Sequence, residues 1–287
     1  FNVNNLFKIF LRKFLKIKIG QIPFKMVPYF KREGKYPFIG ECRSILDNFK
    51  KFVTDDLKNG LGNRDSVIIN EVLSYMEKET FNENIFVSLC DLDGIGHKYG
   101  VDSDEYFNRL NFLEKQINMI VVKYQKNFNN SPILVLSDHG MSNVKKFIDP
   151  RKTINHIEKK FKLHCFYDSL YLHVFFRDKN LLFKKNIVEK IIKKNLPVSI
   201  FDERDRLVYG ITNRNFGDII CLLKNEHAFS PNLFGFLKLK AYHGYMPGSL
   251  DNKGVFLSKN LKSKCKKNIK SIDVYDIIVD NMKKIKI

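Results

Sequence analysis

The sequence has no tryptophan, and only five cysteines and eight prolines are spread over 287 residues. The cysteines (Cys42, Cys90, Cys165, Cys221 and Cys265) are odd in number, far apart and without a Cys-x-x-Cys pair. This excludes a disulfide framework and a zinc knuckle, and points to free thiols in a reducing, cytoplasmic compartment. Cys90, Cys165 and Cys221 lie in or beside apolar, strand-like runs. No apolar run reaches the ~18 residues that suggest a spanning helix, so no transmembrane segment is expected. Arginine is also scarce, with 10 against 40 lysines. A formal charge of +19 invites a nucleic-acid or anionic-surface reading. Sequence-specific readers of nucleic acid, however, lean on arginine for bidentate contacts. Abundant Lys, Asn and Ile with 26 Phe is the signature of AT-rich coding sequence. The charge is therefore assigned to a solvated surface, and no specific nucleic-acid partner is expected.

With 44% hydrophobic residues the chain can bury a sizeable core. It starts on Phe1, not Met, so the gene product is expected to extend upstream. Phe1–Gly20 threads Lys8, Arg12, Lys13, Lys16 and Lys18 among Phe and Ile. Interspersed charge without a small-residue cleavage site excludes a signal peptide and predicts an amphipathic helix packed on the domain, or a basic membrane-surface helix.

Helical spacing of Ile45, Leu46, Phe49, Phe52 and Val53 predicts a helix over Glu41–Leu57, and the same pattern recurs over Ser66–Lys78. Ile85–Cys90 (IFVSLC) reads as a buried strand. A long helix follows, capped by Asp102 or Ser103, with Phe107, Leu110, Leu113, Ile117, Ile120 and Tyr124 on its apolar stripe. Ile133–Leu136 (ILVL) is a second buried strand. Strand, helix and strand at this spacing predict a βαβ unit and an α/β fold with a mainly parallel sheet flanked by helices. Beyond Pro150 the elements are shorter: strands at Leu170–Phe176, Gly217–Leu223 and Gly254–Leu257, and helices at Leu181–Lys194 and Ile272–Ile285. Residues 160–235 are expected to form a small α+β insertion.

Ligands of open α/β sheets sit beyond the carboxyl ends of the strands. Two groups of metal-capable residues fall there. Asp93 and His97 follow IFVSLC and are four apart, so one helical turn would put carboxylate and imidazole on one side. Asp138 and His139 follow ILVLS. A hard carboxylate beside a borderline imidazole is a divalent-metal pair. Taken singly, an Asp-His dipeptide is commonly just a turn, and Asp-x-x-x-His a solvated helix face. A third candidate is His243, in the Gly/Pro loop AYHGYMPG.

The segments DLDGIGHKYG, LSDHGM and AYHGYMPGSLDNKGVF, in this order, resemble the metal-binding motifs of the alkaline-phosphatase superfamily. The nearest branch is that of the type I phosphodiesterases and nucleotide pyrophosphatases. The runs FYDSLYLHVFF and FGDIICLLKNEHAFSPNLFGF look like segments of prokaryotic members, and the resemblance spans roughly Ile22 to Leu257. It implies an alkaline-phosphatase-like fold and two divalent ions. Asp93, His97 and His243 would hold one, and Asp138 with His139 would hold part of the other. In that family an Asp near the N-terminus and the nucleophilic Thr or Ser complete the ligand set of the second metal. Both would lie upstream of IPFKMVPYF, where this chain has no counterpart; Phe1–Gly20 contains no Asp, Thr or Ser. The chain thus resembles the C-terminal portion of such a catalytic domain.

The implied activity is metal-dependent hydrolysis of a phosphodiester or pyrophosphate bond in a phosphorylated or nucleotide-like substrate. The same scaffold serves phosphomonoesterases, phosphomutases, sulfatases and phosphoethanolamine transferases, and a chain without a nucleophile could instead be a non-catalytic metal-binding remnant. Zn²⁺ suits the His/Asp mixture best, with Mn²⁺ next. Among the remaining candidates, Asp91 is either a support behind the ligands or an end-of-strand cap. Tyr245 either stacks on a base or sugar or packs its loop. Lys98 is read as solvated, Asp168 as structural, and His156, His164, His173 and His227 as surface or core histidines.

Overall fold

The computed structural model describes residues 49–53, 62–78, 84–232, 237–262 and 268–281. The expectations for Phe1–Gly20 and for Glu41 to Asn48 lie outside these residues. The chain forms two compact units: one over Ser142–Asn252, the other from the described residues up to Met141 together with those from Lys253 on.

The discontinuous unit opens with strand β1 (Lys50–Val53), followed by helix α1 (Arg64–Tyr75), strand β2 (Ile85–Ser88), helices α2 (Asp91–Tyr99) and α3 (Asp104–Asn127), and strand β3 (Ile133–Leu136). Lys50–Val53 corrects the helix expected through this stretch. Phe49, Phe52 and Val53 fit a helical period, but Lys50 to Val53 instead pair in parallel with Ile85 to Ser88. The ladder saturates backbone groups that β2 would otherwise leave open, and Phe52 is buried against α1 beside Ile68, Val72 and Met76. Ser103 caps α3 as expected, its hydroxyl oxygen accepting the Tyr106 N–H. The apolar stripe of α3 is only partly covered: Leu113 is buried, Ile120 and Tyr124 pack on the core, and Phe107 and Leu110 are exposed.

In the continuous unit the order is β4 (Ser142–Asn143), β5 (Lys146–Ile148), α4 (Arg151–Phe161), β6 (Leu163–Tyr167), β7 (Tyr171–Phe176), α5 (Lys185–Asn195), β8 (Val198–Ile200), α6 (Glu203–Val208), β9 (Ile219–Leu223), β10 (His227–Phe229) and β11 (Ala241–Tyr242). An antiparallel sheet in the order β6-β7-β9-β8 forms its centre. Ile154, Ile157 and Phe161 of α4, with Val188 and Ile192 of α5, recur at helical spacing and bury against Leu172, Val174, Ile219 and Cys221. Each such aliphatic side chain is worth about 1.5–3 kcal/mol of burial. Short ladders add β4 to β11 (antiparallel) and β5 to β10 (parallel).

The chain then returns to the first unit with β12 (Phe256–Lys259) and α7 (Val274–Asn281). The fold is α/β. Among the described residues β2 and β3 do not pair with each other: β1 flanks β2 in parallel, and β12 runs antiparallel to β3. Both strands are half-buried, not sequestered on both faces as their apolar composition suggested. Gly254 is required just before β12. A Cβ there would stand 2.7 Å from the Ser137 carbonyl oxygen and 2.8 Å from its hydroxyl oxygen. That closeness allows Ser137 N–H to bond the Val255 carbonyl and Val255 N–H to bond the Ser137 hydroxyl, at 3.0 and 2.8 Å.

Candidate functional site

Asp93 and His97 lie on α2, which starts three residues after β2 ends. The helix brings them onto one turn, with His97 Nε2 3.4 Å from Asp93 Oδ1, and both side chains reach solvent. Between them in sequence Gly96 leaves room for a neighbour: a Cβ would meet Met141 Sδ at 2.5 Å and the Tyr106 ring at 3.2 Å. Met141 is two residues beyond His139, so the loop after β3 is seated on the helix that carries the first pair. Burial, and secondarily the Asp93 charge, raise the Tyr106 hydroxyl above its ordinary pKa.

Asp91 begins α2, and its carboxylate turns to the start of α1. It accepts the Asp65 N–H at 3.0 Å, the Gly62 N–H at 3.1 Å and Arg64 Nε at 2.8 Å. Asp65 reciprocates, accepting the N–H groups of Cys90 at 2.8 Å and Asp91 at 3.2 Å. Both aspartates are fully buried. Burial raises Asp65 above the usual carboxylate range despite those backbone bonds. Burial pushes Asp91 the same way, but its bonds from Asp65, Arg64 and Gly62 outweigh it and hold the carboxyl low. Asp91 is therefore a helix-end cap whose carboxylate is engaged by Gly62, Arg64 and Asp65 at the start of α1.

Asp138 and His139 leave the end of β3. The Asp138 side chain is 83% exposed, and its Oδ2 lies 3.3 Å from His139 Nε2. Oδ1 accepts the His139 N–H at 3.1 Å, and His139 Nδ1 is 3.0 Å from the Gly140 carbonyl oxygen. This is a carboxylate–imidazole pair in which the carboxylate is exposed and the half-buried ring is held from the backbone.

His243 belongs to the other unit, one residue past β11. The Tyr242 backbone is paired with Ser142, and its hydroxyl accepts from Asn232 Nδ2 at 3.3 Å. After His243, the Gly244 carbonyl accepts the Tyr171 hydroxyl at 2.9 Å. Asn252 bridges the next two residues, accepting Gly244 N–H at 3.4 Å and donating to the Tyr245 carbonyl at 3.2 Å. Tyr245 itself is 2% exposed, packed among Leu170, Phe201 and Ala228, and donates its hydroxyl to the His227 carbonyl at 3.0 Å. Burial raises that hydroxyl far above its ordinary pKa. The substrate-stacking role is thereby corrected: a ring enclosed in the core presents no face to a base or sugar.

Asp168 is structural, turning the β6–β7 hairpin by accepting the N–H of Ser169 at 2.6 Å. His173 is a half-buried histidine whose Nδ1 meets the Phe216 carbonyl at 2.6 Å, and desolvation lowers its pKa. His164 meets Arg177 and His227 the Asn225 carbonyl. Lys98 is exposed over the Tyr99 ring. Asp65, Arg64, Tyr171 and Asn252 were missed in the sequence. Asp65, Arg64 and Tyr171 act on residues distant in the chain and Asn252 reaches back across its own loop, and no period or motif marks them.

The model of the type I phosphodiesterase/nucleotide pyrophosphatase family matches residues 29–210. That range contains Asp93, His97, Asp138 and His139, whereas His243 and Tyr245 lie beyond it. No curated protein matches the sequence. Among solved structures, murine ectonucleotide pyrophosphatase/phosphodiesterase 5 is similar at 15% identity and a TM-score of 0.53, over 68% of this chain and 52% of that one. An inactive variant of the murine protein in complex with AMP is similar at 13% identity and a TM-score of 0.53, over 68% and 51%. Human ectonucleotide pyrophosphatase/phosphodiesterase 5 is similar at 17% identity and a TM-score of 0.51, again over 68% and 51%. The chain thus spans about half the length of these structures, and at such identity the likeness speaks for the fold. The chain belongs to the type I phosphodiesterase/nucleotide pyrophosphatase family, the branch of the alkaline-phosphatase superfamily that its three motifs resemble.

Proposed function

We propose that this chain carries the metal-binding portion of a hydrolase for phosphodiester or pyrophosphate bonds. The observation that carries the reading lies within one unit. Asp93 and His97 form a ligand pair on one turn, 3.4 Å apart, and the loop holding Asp138 and His139 packs through Met141 on Gly96 between them. Two carboxylate–imidazole pairs near one helix are what two borderline divalent ions require.

Asp93 and His97 with His243 are assigned to one ion, and Asp138 with His139 to part of the other. Family membership supports the roles of Asp93, His97, Asp138 and His139, which lie within the matched residues, and the resemblance of the AYHGYMPG loop supports that of His243. Zn²⁺ fits the donors best and Mn²⁺ next. Two divalent ions held by these residues would neutralise charge on the non-bridging oxygens and the leaving oxygen of a phosphate diester. Asp93 and Asp138 offset the cationic charge, neutral His97, His139 and His243 contribute ligands without adding charge, and the lysine-rich surface favours approach of an anionic substrate. The hydroxyl nucleophile of such a reaction is assigned to a Thr or Ser.

A phosphorylated, nucleotide-like substrate follows from the family and from the AMP complex of the murine relative. Residues 160–235 are read as an insertion, supported by their own antiparallel sheet. A reducing, cytoplasmic setting is read from the odd number and wide scatter of the cysteines, which include no Cys-x-x-Cys pair.

The test is to assay the protein on a bis-nitrophenyl phosphodiester and the matching monoester with Zn²⁺ or Mn²⁺. Metal-dependent turnover favouring the diester is expected. Monoester turnover far above it overturns the substrate class, and turnover indifferent to chelation overturns the metal assignment.

A further inference from the structure

We infer that Tyr171 and Asn252 are positioning residues that fix the presentation of His243. The inference rests on the reading of His243 as a metal ligand and adds to it the groups that hold that ligand in place.

His243 stands one residue past the end of β11. On its N-terminal side β11 ends at Tyr242, paired with Ser142. On its C-terminal side Gly244 takes φ +90°, a conformation L side chains rarely adopt, and the chain leaves the strand direction there. The space around Gly244 does not demand glycine, since a Cβ would meet only Leu170 Cδ1 at 3.9 Å. The turn itself demands it, and side chains then fix the turn. Tyr171 donates its hydroxyl to the Gly244 carbonyl at 2.9 Å, and the Asn252 carboxamide engages Gly244 N–H and the Tyr245 carbonyl together.

Both anchors are themselves set. Tyr171 starts β7, pairs with Leu222 of the buried β9 and stacks on His173 with ring centroids 6.0 Å apart. Asn252 grips Tyr245, which is rooted in the core through its bond to the His227 carbonyl. A zinc–imidazole bond tolerates errors of only about 0.2 Å. The Tyr171 and Asn252 bonds to the turn thereby hold the direction of the ligand next to it, much as outer hydrogen-bond partners do for ligands in other sites.

Two nearly isosteric substitutions remove these bonds with little change of volume: Tyr171→Phe deletes the hydroxyl, and Asn252→Asp replaces the amide donor by an oxygen that repels the Tyr245 carbonyl. Titration of the metal-free chain with Co²⁺, followed through its visible d–d absorption, is the readout, with thermal melting of each metal-free variant alongside. The expected result is about 10-fold weaker Co²⁺ binding and altered bands in both variants, with melting close to the parent. Should Tyr171→Phe fail to fold, Asn252→Asp carries the test.

Parent-like affinity and bands in both variants, while His243→Ala loses binding, overturn the positioning role and leave the ligand reading standing. Parent-like binding in His243→Ala overturns the ligand reading itself, and with it this inference.

Discussion

Asp65 and Asp91 cap each other's helices. Neither Asn63 nor Cys90, the residues preceding α1 and α2, uses its own side chain as a cap. Asp65 instead accepts from the backbone N–H of Cys90 and Asp91, and Asp91 accepts from the N–H of Asp65. Each carboxylate thus sits at the positive end of the other's helix, and Arg64 supplies a countercharge to Asp91. The helix that bears Asp93 and His97 is thereby fixed at its first residue.

Removing this exchange should be costly. Asp65→Ala strips two buried N–H groups of their acceptor and is expected to destabilise by about 1–3 kcal/mol in denaturant titration. A loss near zero would mean that the bonds are not formed in solution.

The same residue predicts a pH dependence. Burial raises Asp65 in the folded state, so its protonated form is favoured there. Its contribution to stability is complete below the ordinary carboxylate value of about 3.9 and is lost as pH rises through the raised folded value. The stability of the parent relative to Asp65→Asn should therefore decline as pH rises from about 4 and then level off. A difference independent of pH contradicts the shift.

Two glycines should differ in tolerance. Gly96→Ala presses on Met141 and Tyr106 side chains, which can shift, whereas Gly254→Ala presses on the Ser137 carbonyl in the backbone. Both are expected to cost within the usual 1–3 kcal/mol range for overpacking, roughly, with Gly254→Ala the worse of the two. Reversal of that order in equilibrium unfolding would show that the β3–β12 edge yields more readily than the α2 contact.

Arg206 is 1% exposed and donates from Nη2 to the Gly217 carbonyl at 2.6 Å. Its Nε and Nη1 have no hydrogen-bond partner among the described residues. A buried guanidinium so poorly satisfied contributes little beyond its volume. Arg206→Met should stay within about 1 kcal/mol of the parent, whereas Arg206→Ala should lose about 2–5 kcal/mol through the cavity. Equal losses in the two variants would show that the charge itself matters.

Local chemistry was the legible part of this sequence. Four-residue spacing put Asp93 and His97 on one turn of α2, Ser103 announced the start of α3, and the apolar runs at Ile85 and Ile133 marked strands. Pairing was less legible, because apolar composition does not say which edge a strand will take. Ile133–Leu136 found Phe256–Lys259, more than a hundred residues away, and Lys50–Val53 became a strand where side-chain spacing suited a helix. The supports of the site were silent for a similar reason. Asp65 and Asp91 are 26 residues apart, and Tyr171 and Gly244 are 73 apart, so no local pattern joins them.

The most direct measurement is anomalous X-ray scattering at the zinc edge from crystals of the chain grown with Zn²⁺. The account predicts a peak about 2.0–2.2 Å from ligand atoms of Asp93, His97 and His243 together. Zinc bound by Asp93 and His97 with His243 turned elsewhere, or no zinc on these residues at all, would contradict it.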